Sequence, residues 1–127
     1  MHKSRLGAVV IDCQSDDLSE ATAFWSQALG YDVEADPDDD GKYVRLEVPP
    51  DEVTVILQRV DHPSRVHLDI ETDDLEAEVT RLEKLGAKRV AAIKRWIVME
   101  APSGQRFCVV TPQRSNFGEG AKAWPSD

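Results

Sequence analysis

Two stretches of this chain carry the same alternation of apolar and polar positions. Residues 6–13 read as a short strand with Val9, Ile11 and Cys13 on one face and Ala8, Val10 and Asp12 on the other. Ser15, Asp16 and Asp17 follow, good helix-capping types that place acidic charge at the positive end of a helix. Leu18, Ala21, Phe24 or Trp25, Ala28 and Leu29 then recur at helical spacing, and Gly30 stands where a helix stops. Residues 31–35 and 43–48 alternate as strands around the acidic turn text "DPDDDG", Pro49 to Asp51 make the next turn, and residues 53–59 form a fourth strand.

The pattern restarts after "VDHPS". Residues 65–71 place Val66, Leu68 and Ile70 on one face and His67, Asp69 and Glu71 on the other. Asp73 and Glu76 fit a capping box, Leu75, Val79, Leu82 and Leu85 make the apolar stripe, and Gly86 ends a helix one residue shorter than the first. Residues 89–93 and 96–100 form a hairpin through Lys94 and Arg95, "PSGQ" turns, and residues 106–110 close the set. Asp12, Asp16, Asp17 and Leu18 recur as Asp69, Asp73, Asp74 and Leu75, 57 positions later. A period this long means a duplicated βαβββ unit rather than a solenoid. The two copies cover residues 5–59 and 65–112 of a single domain of α+β class, and residues 113–127 have no period and read as a tail in which Phe117 and Trp124 call for cover.

Composition narrows the function classes. With 127 residues, 41% of them hydrophobic and 31% charged, the chain can bury one core but not two independent ones. The formal net charge of −9 repels phosphate backbones and anionic bilayers, so neither a nucleic-acid nor a membrane partner is expected. No apolar run is long enough to span a bilayer, and the expected location is the cytoplasm. Cys13 and Cys108 lie in strand text without metal-finger spacing, so both are expected to be reduced. Asp36, Asp38, Asp40, Gly41 and Glu47 match a calcium-loop pattern, but flanking strands and Pro49-Pro50 replace the helices that such a loop needs. There is no nucleophile elbow, phosphate-cradling loop or dinucleotide fingerprint.

Two βαβββ units joined by a short linker resemble the vicinal-oxygen-chelate superfamily, the glyoxalase, bleomycin-resistance and extradiol-dioxygenase group. "VILQRV", "RVHLDIETDDL", "LGAKRV" and "APSGQRFCVV" are similar to its glyoxalase-like subgroup. The resemblance implies an eight-stranded open barrel with the helices outside, a cavity between the halves, and frequent dimerisation. It also implies a metal held by the first and fourth strands of each unit, usually through His and Glu. His67 falls on one such position and Val10 on its counterpart, with Ile56 or Gln58 and Cys108 on the fourth strands. With only His67 a secure ligand, no cofactor is expected; a divalent metal, if held, would use His67 with Cys108 or Gln58.

The expectation is therefore a homodimeric protein that takes a small, cationic or aromatic organic molecule in a cup formed by Val10, Asp12, Gln58, His67, Asp69, Glu71, Trp96 and Cys108. Asp12, His67 and Asp69 are the candidate acid–base or amine-clamping groups. The competing expectations are a lyase, isomerase or dioxygenase using those groups or a nonstandard metal, and a purely structural module. Arg45, Arg59, Arg65 and Arg106, placed in strands, should pair with acids or anchor an anion.

Overall fold

The computed structural model describes residues 1–34, 41–93 and 95–125. Among them the chain forms β1 (His2–Gln14), α1 (Ser19–Leu29), β2 (Tyr43–Arg45), β3 (Thr54–Val60), β4 (Arg65–Thr72), α2 (Leu75–Lys84), β5 (Lys88–Ile93), β6 (Trp96–Glu100), β7 (Arg106–Val110), a short α3 (Phe117–Gly120) and β8 (Lys122–Trp124). This is an α+β fold with parallel and antiparallel strand pairs. Its contacts divide into two compact units, Ala8–Val66 and Met1–Gly7 with His67–Asp127.

In the first unit β1 runs parallel to β3, with Val10 opposite Ile56 and Asp12 opposite Gln58, and β2 pairs antiparallel to β3. Alternation then sorts the side chains as the sequence pattern requires. Cys13, Leu18, Leu46 and Leu57 form the core with Ile11, Ala21 and Trp25 packed on it, so Trp25 fastens α1 to its sheet. Val10, Asp12 and Gln58 lie on the opposite face. Of the expected strand over 31–35, the described residues 31–34 form a single bridge, between Val33 and Leu46. The calcium-pattern residues Asp36, Asp38 and Asp40, with most of the "DPDDDG" turn, lie outside the described residues, as does Lys94 of the β5–β6 turn.

In the second unit β4 runs parallel to β7, and β6 joins β7 to β5 through antiparallel pairs. Val79 and Leu82 of α2 pack with Ile97, Met99 and Val109, assisted by Ile70 and Phe107. α2 is one residue shorter than α1, as expected. Gly30, at φ 78°, and Gly86, at φ 108°, end the helices in the left-handed region where glycine carries no steric penalty.

The helix starts differ from the capping reading. α1 begins at Ser19 with Leu18 at its cap, although the Asp17 carboxylate still accepts from the Ser19 amide at 2.8 Å. On α2 the cap is Asp74, whose carboxylate accepts from the Ala77 amide at 3.1 Å; Asp73 accepts instead from the Lys3 amide, and Glu76 reaches Arg89. Asp74→Ala should therefore cost about 1 kcal/mol, a loss that urea unfolding would register. A neutral result would mean that the helix start is held by packing alone.

The largest departure is at the ends. The segment expected to be an aperiodic tail folds onto the beginning of β1, where β8 pairs antiparallel with His2, Lys3 and Ser4. Phe117 is buried, and Trp124 donates its indole N–H to the Ser4 hydroxyl at 2.8 Å while the Arg81 guanidinium lies 3.9 Å from its ring centre. β1 consequently starts four residues before the predicted strand, in the polar text "HKSR", which has no strand-like alternation of its own. Among the described residues no helix is long and apolar enough to cross a membrane.

Candidate functional site

The helix-covered face of each sheet is apolar, so the chemistry sits on the other face. In the second unit that face carries His67 and Asp69 of β4, Cys108 of β7 and, through the Val98–Cys108 register, Val98 and Trp96 of β6. Asp69 and Cys108 are direct strand partners, and His67 precedes Asp69 by one full strand period. An imidazole nitrogen, a carboxylate oxygen and the thiol sulfur thus lie within 4.8 Å of one another. His67 Nε2 stands 3.4 Å from Asp69 Oδ1, with both side chains mostly shielded from solvent. Asp69 Oδ1 is buried and accepts no hydrogen bond among the described residues.

Glu71, two residues further along the same face, has another role. Its carboxylate is fully buried and takes Arg5 Nε at 2.6 Å, Arg114 Nε at 3.0 Å and the Gln113 amide at 2.7 Å. Burial alone would raise its pKa, but the Gln113 amide and the two guanidiniums outweigh this and hold it below the usual carboxylate range. With its acceptors committed, Glu71 ties the chain ends to β4, which corrects its reading as a ligand contact.

A second buried carboxylate has no signature in the sequence pattern. Glu78 on α2 is fully buried, 2.8 Å from His2 Nε2 and in a two-pronged pair with Arg81, at 2.9 and 2.8 Å. Desolvation again opposes its ionisation, and Arg81, His2 and Ser4 override it, so its pKa too is lowered. At i and i+3 on a helix, Glu78 and Arg81 look like an ordinary surface pair; the fold sets the distant His2 against Glu78 and Trp124 against Arg81.

In the first unit the Asp12 carboxylate is buried, with Arg65 Nε 3.7 Å from Oδ2. Val10 is buried as well. The β1–β3 register resolves the choice between Ile56 and Gln58: the partner of Asp12 is Gln58, as the partner of its repeat counterpart Asp69 is Cys108. Gln58 donates to the Tyr43 hydroxyl at 3.3 Å and borders an open depression of about 550 Å³ lined with charges of both signs, among them Asp16, Lys42, Arg59 and Asp61. Of the strand arginines, Arg65 faces Asp12 and Arg106 pairs with Glu100 at 3.1 Å, as expected, whereas Arg59 donates to the Asp16 backbone carbonyl at 3.1 Å rather than to an acid. Cys13 and Cys108 are both free thiols. Burial, and secondarily the Asp12 charge, pushes the Cys13 thiol pKa up, so that cysteine is inert core material.

The glyoxalase-like domain family matches residues 8–110, and the chain belongs to that family. No curated protein sequence matches the chain. Among solved structures it is similar to methylmalonyl-CoA epimerase from Mycobacterium tuberculosis, with a TM-score of 0.65, 19% identity and coverage of 85% of this chain and 87% of that one. Streptomyces coelicolor methylmalonyl-CoA epimerase, in complex with 2-nitronate-propionyl-CoA, matches with a TM-score of 0.63, 15% identity and coverage of 85% and 96%. A glyoxalase/bleomycin resistance protein/dioxygenase superfamily member from Vibrio splendidus 12B01 matches at 0.52, with 22% identity and coverage of 84% and 98%. These likenesses show that the chain shares the fold of those proteins.

The side chains do not fit the metal set that the superfamily implies. Of its four positions, Val10 has no donor atom, and Gln58 offers only a neutral amide oxygen, a weak ligand for a soft divalent ion. His67 and Cys108 remain, and two ligands do not hold a catalytic ion.

Proposed function

We propose that this glyoxalase-like protein binds a small organic molecule against the open face of the second unit, without the superfamily's four-donor metal set. The observation that carries the reading is the substitution of Val10 and Gln58 at the counterparts of His67 and Cys108, fixed by the strand registers. The chemistry left on the face suits a cationic or aromatic ligand. Asp69 offers a buried oxygen, His67 an adjacent ring nitrogen, and Trp96 a flat apolar surface for stacking.

A thermal-shift screen of amines and aromatic metabolites, run in chelator-treated buffer, tests this. A ligand present at 100 times its dissociation constant should stabilise by about 2.7 kcal/mol, several degrees in Tm. Asp69→Asn should reduce that shift for cationic ligands and spare it for neutral aromatic ones. A complete set of cationic and aromatic probes with no shift would sink the reading.

The second reading is acid–base catalysis, as a lyase, isomerase or dioxygenase, with His67 as the proton-transferring group positioned by Asp69. The 3.4 Å separation favours it, since it sets a carboxylate charge beside the imidazole that would carry the proton. If turnover is found, His67→Ala should lower kcat by about 100-fold or more, the typical share of a positioned acid or base. Unchanged turnover in His67→Ala would remove it.

A further inference from the structure

We propose that His67, Asp69 and Cys108 form a three-donor site for a thiophilic divalent cation of the zinc type, contained wholly within β4 and β7 of the second unit. This site is not the superfamily's set: it needs no donor from the first unit, and it recruits Asp69, which holds none of the four superfamily positions.

The geometry of the His67–Asp69 pair carries the argument. At 3.4 Å, Nε2 and Oδ1 are too far apart for a good hydrogen bond, whose N–H···O distance is typically 2.7–3.2 Å. Two ligands on one tetrahedral ion, with bonds of about 2.0–2.2 Å, stand about 3.4 Å apart. Asp69 Oδ1, the oxygen facing the imidazole, is also buried without a hydrogen bond, which is costly unless something positive is brought to it. The Cys108 sulfur lies within 4.8 Å of an imidazole nitrogen of His67 and a carboxylate oxygen of Asp69, so all three donors border one small volume.

The donor types select the ion. Imidazole and thiolate favour zinc, cobalt or cadmium over magnesium and calcium, which demand oxygen. A neutral imidazole, a carboxylate and a thiolate together bring two negative charges, matching a divalent cation. Binding releases the thiol proton, and three protein ligands leave one position open on the solvent side.

The probe is cobalt(II), with zinc(II) as competitor, added to chelator-treated full-length protein produced without a His-tag. One equivalent should bind, with the near-ultraviolet thiolate-to-cobalt absorption and the strong visible bands of tetrahedral cobalt, and zinc should displace it. Cys108→Ser should abolish the charge-transfer band, and His67→Ala should weaken binding at least about 100-fold, beyond the 10–100-fold typical of residues that only support a ligand. Asp69→Asn should weaken it at least tenfold. As a measurement that does not depend on variants, zinc should slow alkylation of Cys108 in the wild-type protein, which a peptide map can read separately from Cys13. The proposal is overturned by cobalt binding without the thiolate band, by equal binding in Asp69→Asn, by equal affinity for magnesium, or by no saturable binding. None of these outcomes bears on the organic-ligand reading, whose screen is run without metal.

Discussion

Glu71→Gln is expected to lower the unfolding free energy by about 3–5 kcal/mol, the usual result of removing one partner from a buried charge pair. The exchange conserves volume but leaves the Arg5 and Arg114 guanidiniums facing a neutral amide, one of whose ends now donates where the Gln113 amide also donates. Neither arginine can turn to water easily: Arg5 is tied to Asn116 and lies over Phe117, and Arg114 donates to the Leu6 carbonyl at 2.6 Å. Nor is there slack around the carboxylate, since a Cβ added at Gly7 would meet the Glu71 side chain at 3.0 Å. The loss should depend on pH. Because the folded pKa of Glu71 is lowered, its contribution is complete above the unfolded value of about 4.3 and disappears as pH falls below it toward the folded value. The difference between wild type and variant, measured by urea unfolding, should therefore stay constant from pH 7 down to about pH 5 and shrink as the pH is lowered through and below about 4.3. Glu76→Gln, which breaks the exposed pair with Arg89, should cost no more than about 1 kcal/mol. A Glu71→Gln loss as small as that, or one independent of pH, would mean that the guanidiniums find other partners.

This carboxylate also marks where sequence reading stops. The duplication, both helices, the hairpin of β5 and β6 and the face on which His67, Asp69 and Cys108 gather follow from periodicity, because a period of 2 or 3.6 is written locally. Which residues on that face stand opposite one another, such as Asp69 and Cys108, came only with the strand register. The role of Glu71 did not follow. It has the same parity as His67 and Asp69, and what removes it from the site is a pair of arginines 66 and 43 positions away. The strand made by Lys122–Trp124 was equally hidden, since three residues have too little alternation to register and their partner, the polar start of β1, has none. The choice between Ile56 and Gln58 was a one-residue register question, to which alternation is blind until the partner strand is known.

Leu57→Ala is expected to cost about 3–5 kcal/mol, in the upper part of the range for buried leucines. Leu57 has no exposed surface and lies within the cluster of Cys13, Leu18 and Leu46, where Ile11 of β1 is its strand partner on one side and Val44 of β2 on the other. Collapse of the resulting cavity is opposed from both sides, because two ladders fix the neighbouring strands and Trp25 braces the helix above. The expectation also separates the two copies. The repeat counterpart of Leu57 is Phe107, which is only partly buried, while the fully buried position of β7 is Val109, whose counterpart in the first unit is Arg59. Duplication thus preserved the strand but moved its deepest residue by two places, so stabilities read across from one copy to the other should fail at these positions. Leu68→Ala, at a β4 position that is 46% exposed, should change stability by no more than about 0.5 kcal/mol. Denaturant midpoints of the three proteins measured together decide the matter: a Leu57→Ala loss below about 2 kcal/mol would show that this core closes around the missing side chain.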